Sequence, residues 1–255
     1  MKGRTHLIIG TLTTVQTAAF MHFKVDVLAM IFASLLSILP DIDEPDSSFS
    51  SIIFSKDLSK KIYRIIIYIL NIIIFSLSIR YNKNFIIAGV ISFITIAFLD
   101  IKLTEKKVRK FLISFELITI GLLLYFLKTP KFYYLSFFAF SLLPHLKHRH
   151  FTHSLISIPL IYMWLEVLEI MLLKNNITGF HGIAILGTIS FSTHILLDMF
   201  TKMGVPLFFP ISDRKISLGF LRVGSKFSNI VESLLVFLLF IFTVISLYTY
   251  YQTIY

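Results

Sequence analysis

The sequence predicts an all-α fold: a polytopic transmembrane bundle of about nine helices, seven to nine as the shorter ones are counted, with a polar site at its cytoplasmic end. Three observations predict it. Hydrophobic residues make up 56% of the 255 positions, with 27 Phe, and charged residues only 15%, too apolar for a domain whose surface faces water. The apolar runs are continuous rather than alternating, which favours helices over membrane strands, and several approach the roughly 20 residues needed to cross a bilayer core. Lys and Arg collect in alternate connections, as cytoplasmic loops require.

Taken in order, the first stretch, Leu7–Phe20, is the least apolar. Lys2 and Arg4 before it and Ala18 and Ala19 at its end sketch a cleavable signal; the reading keeps the segment as a helix, and with it His6. Val25–Leu39 follows and ends in LPDIDEPDSS, where Pro40 and Pro45 punctuate the chain. Ile62–Ile79, Phe85–Leu99, Phe111–Leu127 and Phe132–Leu143 form the middle. Ser154–Leu173, His181–Phe200 and Ile230–Tyr251 complete the set. Reading two neighbouring short helices as a re-entrant pair would leave most of the assignment standing. With no repeat, low-complexity tract or Pro/Gly/Ser-rich linker, residues 1–255 read as one membrane-embedded domain.

If all nine cross and the N-terminus is cytoplasmic, the far side receives six of the 24 cationic residues, Lys24, Arg80, Lys83, Lys128, Lys131 and Lys174, and the cytoplasmic side the other 18. That bias places the chain as a multi-pass protein of the cell membrane. The net charge of +10 is spread over short connections, so nucleic acid is not an expected partner. The lack of Cys excludes thiol catalysis, thiolate metal sites and disulfides.

This topology, drawn from Lys and Arg, brings most of the unusual polar residues to one end. They are His6; Asp41, Asp43 and Asp46 of LPDIDEPDSS; His148, Arg149, His150 and His153 of HRHFTHS; His194 and Asp198 of THILLDMF; and Glu232. His194 and Asp198, four apart, share a helix face as a two-ligand clamp requires; a hydrogen-bonded pair locking two helices explains them equally well. Asp198 lies in an apolar stretch, where an unpaired carboxylate costs about 2.5 kcal/mol or more. Alone, the acidic motif reads as a solvated turn and HRHFTHS as a basic patch on lipid phosphates. Together, a His/carboxylate set without Cys suits Zn, Mn or Fe, as one or two divalent ions.

GRTH, LPDIDEPDSS, HRHFTHS, HILLDMFT followed by GVPLFFP, and Glu232 near the start of the last helix together resemble the YdjM-like family of membrane-bound, metal-dependent hydrolases. The resemblance covers about residues 1–48 and 145–235. It implies functional positions at His6, Asp41, Asp43, His148, Arg149, His153, His194 and Asp198, with Glu232 beside them; His150 stands where a small residue is expected. The stretch 49–144 is long for the family and reads as an inserted four-helix segment within a core of 1–48 and 145–255.

The expected function is thus a metal-dependent hydrolase at the cytoplasmic interface, acting on a phosphoester or lipid headgroup. His6, Asp41, Asp43, His153, His194 and Asp198 are its expected ligands, with Asp43 or Asp198 bridging if two ions bind. Arg149 is the expected anion clamp, and His148 the general acid. GVPLFFP is the expected rigid wall beside the site. The alternative is a non-enzymatic membrane protein whose cluster is structural or regulatory and binds lipid or a partner. A transporter fits less well, because the polar set gathers at one end rather than at the midplane.

Overall fold

The computed structural model describes residues 1–23, 26–102, 104–219 and 221–254; Lys24, which the sequence reading placed in a far-side connection, and Val25, which it placed at the start of the second helix, lie outside them. Among the described residues there are ten α-helices and no β-strand, only isolated bridges between Thr201 and Leu221 and between Val205 and Ile216. The chain divides into two compact units, residues 1–42 with 146–255, and residues 43–145.

The first unit holds α1 (Gly3–Phe20), α2 (Val27–Leu36), α8 (Ser157–Lys174), α9 (Ile183–Met199) and α10 (Lys226–Ile254). Helix α9 is its axis and packs on α1, α2 and α8. Two glycines set the spacing. A Cβ on Gly10 of α1 would stand 2.3 Å from Ser37 Cβ and 2.9 Å from Ser190 Oγ, and one on Gly187 of α9 would meet Leu36 at 2.5 Å. Small residues at such contacts let backbones approach closely, the main route to tight packing where lipid supplies no hydrophobic drive.

Polar contacts fix the helix directions. Gln16 of α1 donates to the Leu239 carbonyl and Thr243 hydroxyl of α10 at 3.0 and 2.8 Å, and Thr5 donates to Glu232, so α1 and α10 are parallel. Glu169, near the end of α8, accepts from the amides of Gly182 and Ala184 at 2.6 and 3.0 Å. It caps the positive start of α9, and α8 and α9 are antiparallel. Helix α2 gives way at Leu36 to a 3-10 turn over Leu39–Asp43, where Pro40 supplies no amide for a continuing ladder.

The second unit contains α3 (Ser48–Ile53), α4 (Lys56–Asn82), α5 (Phe85–Lys102), α6 (Glu105–Phe126) and α7 (Lys131–Phe140). Ser47, Ser55 and Thr104 cap α3, α4 and α6 by accepting from backbone amides. Ser92 of α5 donates to Asn71 of α4 at 3.0 Å, and Gly121 of α6 leaves room for the Phe138 ring of α7.

Each apolar stretch read from the sequence corresponds to a helix, and α3 is additional. Length separates them. Residues 56–81 and 226–252 are long and apolar enough to cross a membrane unaided, whereas α2 and α7, ten residues each, rise about 15 Å, half of a core of about 30 Å.

Candidate metal centre

His194 lies on α9 one turn before Asp198, and the end of α2 fixes its ring. Because α2 stops at Leu36, the Ser37 carbonyl is left without a continuing helix and meets His194 Nδ1 at 2.7 Å. That nitrogen donates to the carbonyl, so in the neutral ring the lone pair is on Nε2, which faces inward. It lies 3.6 Å from Asp41 Oδ1 and 3.9 Å from Asp198 Oδ2.

His153 enters from a 3-10 turn at Phe151–His153. Its Nδ1 meets the Thr152 hydroxyl at 3.0 Å, and its Nε2 lies 3.5 Å from Asp41 Oδ1 and 3.7 Å from Asp198 Oδ2. Both Nε2 atoms are buried without a hydrogen-bond partner, a loss of about 1–3 kcal/mol apiece if nothing else satisfies them.

Two imidazole nitrogens therefore face the same two carboxylates. Adjacent ligand atoms around a tetrahedral ion at about 2.1 Å are about 3.4 Å apart; Asp41 stands close to that spacing from both nitrogens, at 3.5 and 3.6 Å, and Asp198 stands further off, at 3.7 and 3.9 Å. This donor set fits a borderline divalent ion such as zinc, manganese or iron(II).

Burial by itself would raise the Asp41 carboxyl, but His194 and His153 hold it well below the usual carboxylate range. Burial pushes the His153 imidazole below its ordinary value, so the ring is neutral at neutral pH.

Asp198, 1% exposed, is the hub. Its Oδ2 accepts from Arg149 Nη2 at 2.7 Å, while Oδ1 lies 3.3 Å from His6 Nε2 and 3.0 Å from the Met1 amino group. The cost anticipated for a carboxylate in an apolar stretch is offset by these cationic and hydrogen-bonding partners. Arg149 reaches Asp198 from a left-handed backbone conformation, φ 57°, of the strained kind that surrounding contacts must hold. Its Nη1 donates to the Gly204 carbonyl at 3.0 Å and approaches Thr201 Oγ1 at 3.4 Å. The anion nearest the guanidinium is thus one of the protein's own carboxylates.

His6 stacks on His194 with ring centroids 3.9 Å apart. The cluster resolves into two donor triads, His6/His194/Asp198 and Asp41/His153/His194. One His194 lone pair can serve only one ion, whereas Asp198 presents one oxygen to each triad.

Of the remaining residues read from sequence, His148 is half-buried with its ring edge-on to His153 at 5.6 Å. Asp43 is buried but is the first residue of the second unit and, among the described residues, belongs to neither triad. His150 turns to Asp213 at 3.4 Å, and His145 meets Ser114 in the second unit. Glu232 is buried and accepts from Thr5 at 2.6 Å and Ser228 at 2.8 Å.

Sequence reasoning missed the supports. The Ser37 and Gly204 carbonyls carry no side-chain signal, and Thr5, Thr152 and Thr201 are visible only as neighbours of His6, His153 and Asp198.

The sequence model described as YdjM inner membrane protein matches residues 1–253, including residues 49–144, which the motifs do not cover. Neither the comparison with curated proteins nor that with solved structures returns a match.

Proposed function

The chain belongs to the YdjM inner membrane protein family, and on that premise we propose that it is a multi-pass, metal-dependent hydrolase whose site lies at the cytoplasmic membrane interface. One observation carries the reading: the unpartnered Nε2 atoms of His153 and His194 both face Asp41 and Asp198 within 4 Å. The 18-to-6 division of Lys and Arg supports the orientation.

His153, His194, Asp41 and Asp198 would hold the principal ion, with His6 beside Asp198 Oδ1 at a second position. When bound, such an ion supplies Lewis acidity and a water of lowered pKa. The Ser37 carbonyl keeps the His194 lone pair aimed inward, and Arg149 orients Asp198 through a charge-assisted hydrogen bond. His148, half-buried against His153, is the residue we assign to proton delivery to a leaving group. A phosphoester or lipid headgroup is the substrate class that a metal site at the lipid–water boundary favours. Residues 49–144 are read as a segment inserted into the core formed by 1–48 and 145–255.

The test is elemental analysis of detergent-purified protein with turnover of a generic aryl phosphate ester, comparing wild type with His194→Ala/Asp198→Ala. Stoichiometric Zn, Mn or Fe that disappears with activity in the variant is expected. No metal in either protein after supplementation would overturn the proposal. It would favour a structural cluster built on the Arg149–Asp198 pair at 2.7 Å, the observation that best supports a non-enzymatic reading.

A further inference from the structure

Beside the His/Asp cluster, an apolar cavity of about 380 Å³ is lined by Met1, Leu197 of α9, Phe200 just past its end, Leu221, and Phe227, Val231 and Leu235 of α10. It starts at the site: Leu197 precedes Asp198 in the chain, and the Met1 amino group is 3.0 Å from the Asp198 carboxylate. A second cavity of about 500 Å³ shares Val231 and Leu235 and continues along α10 past Leu238 to Phe242. From Phe227 to Phe242 the helix rises about 22 Å, more than the roughly 15 Å depth of one leaflet. Phe227, Leu234, Leu238 and Phe242 are all more than half exposed, so the groove opens sideways.

At the other end, Leu221 is shared with a third cavity, of about 420 Å³, whose lining includes Lys202 and Arg222. Backbone hydrogen bonds from Lys202 to the Leu221 carbonyl at 2.9 Å and from Leu221 to the Phe200 carbonyl at 3.0 Å hold this corner together. Two cations thus sit at the head of an apolar channel that begins next to the His/Asp cluster. The charge calls for an anionic headgroup and the channel for an acyl chain.

We infer that this groove binds one anionic membrane phospholipid, its phosphate between Lys202 and Arg222 and one acyl chain along α10 from Phe227 to Phe242. That this lipid represents the substrate class rests on the hydrolase reading; that it binds does not. Single exposed apolar residues are ordinary on a membrane protein, whereas adjoining apolar cavities that share Val231, Leu235 and Leu221 and end at two cations select by both charge and shape.

The experiment uses the full chain in nanodiscs doped with phosphatidylglycerol bearing a photoreactive group on one acyl chain, with crosslinks mapped by mass spectrometry. Crosslinks are expected on α10 within residues 227–242, competed by unlabelled phosphatidylglycerol and not by phosphatidylcholine or inorganic phosphate. Val231→Trp/Leu235→Trp, which fills the channel, should lower labelling about tenfold, and Lys202→Gln/Arg222→Gln should remove the preference for the anionic lipid. Metal content is measured on the same samples and should not change, and a melting curve checks that each variant is folded. Labelling spread evenly over the apolar helices, or indifferent to both variants, would overturn the inference even if metal is bound. Localised labelling on a metal-free protein would keep the lipid site and overturn the hydrolase reading alone.

Discussion

Asp198→Asn keeps the shape of the central side chain and removes its charge. Two consequences follow from the geometry. Arg149, 2.7 Å from Asp198 Oδ2 and 7% exposed, loses its carboxylate partner, and leaving a buried charge uncompensated costs about 3–5 kcal/mol. The metal position loses an anionic oxygen that lies within 4 Å of both His153 Nε2 and His194 Nε2. An ion present at a thousandfold its Kd stabilises the folded state by about 4 kcal/mol, a chelator-sensitive shift of roughly 10 °C for a chain of this size.

The assay is thermal unfolding in detergent with and without EDTA, paired with elemental analysis, on wild type, Asp198→Asn and Arg149→Met/Asp198→Asn. Wild type should lose stability on chelation and both variants should not. The double variant should recover stability relative to Asp198→Asn, because it removes the stranded guanidinium, yet still hold no metal. If EDTA lowers the melting temperature of Asp198→Asn as much as that of wild type, Asp198 is not a ligand. Asp198 would then be a structural partner of Arg149, with the ion held by Asp41, His153 and His194.

Gly10→Ala places a Cβ against Ser37 and Ser190 and should destabilise the first unit by about 1–3 kcal/mol, read as a lower melting temperature. Lys106 and Lys56, at 2.8 and 3.2 Å, lower the Asp46 carboxyl. The pair therefore contributes stability above the unfolded carboxylate pKa of about 3.9 that is lost as pH falls through the lower folded value. Being exposed, it should make Asp46→Asn cost less than about 1 kcal/mol at neutral pH, with no difference from wild type in strong acid.

By itself the sequence determined the helical class, because long continuous apolar runs have no other way to satisfy their backbones in lipid. It also assembled most of the cluster. Reading Lys and Arg as markers of one side placed His6, Asp41, His153, His194 and Asp198 at the same end, and the structure clusters these residues. Helix length was legible only in part: α2 reads as apolar to Leu39, but its backbone leaves the α-helix at Leu36 ahead of Pro40.

Tertiary structure decided the rest. Spacing could pair His194 with Asp198 on one face but could not choose between a metal clamp and a hydrogen-bonded lock. Which His194 atom faces inward is set by the Ser37 carbonyl, which has no sequence signature and takes His194 Nδ1. Arg149 illustrates the same limit. Its charge was legible, but its direction came from a left-handed backbone turn that aims it at Asp198. Residue type fixes what a group can do; only the packed backbone fixes which neighbour it does it to.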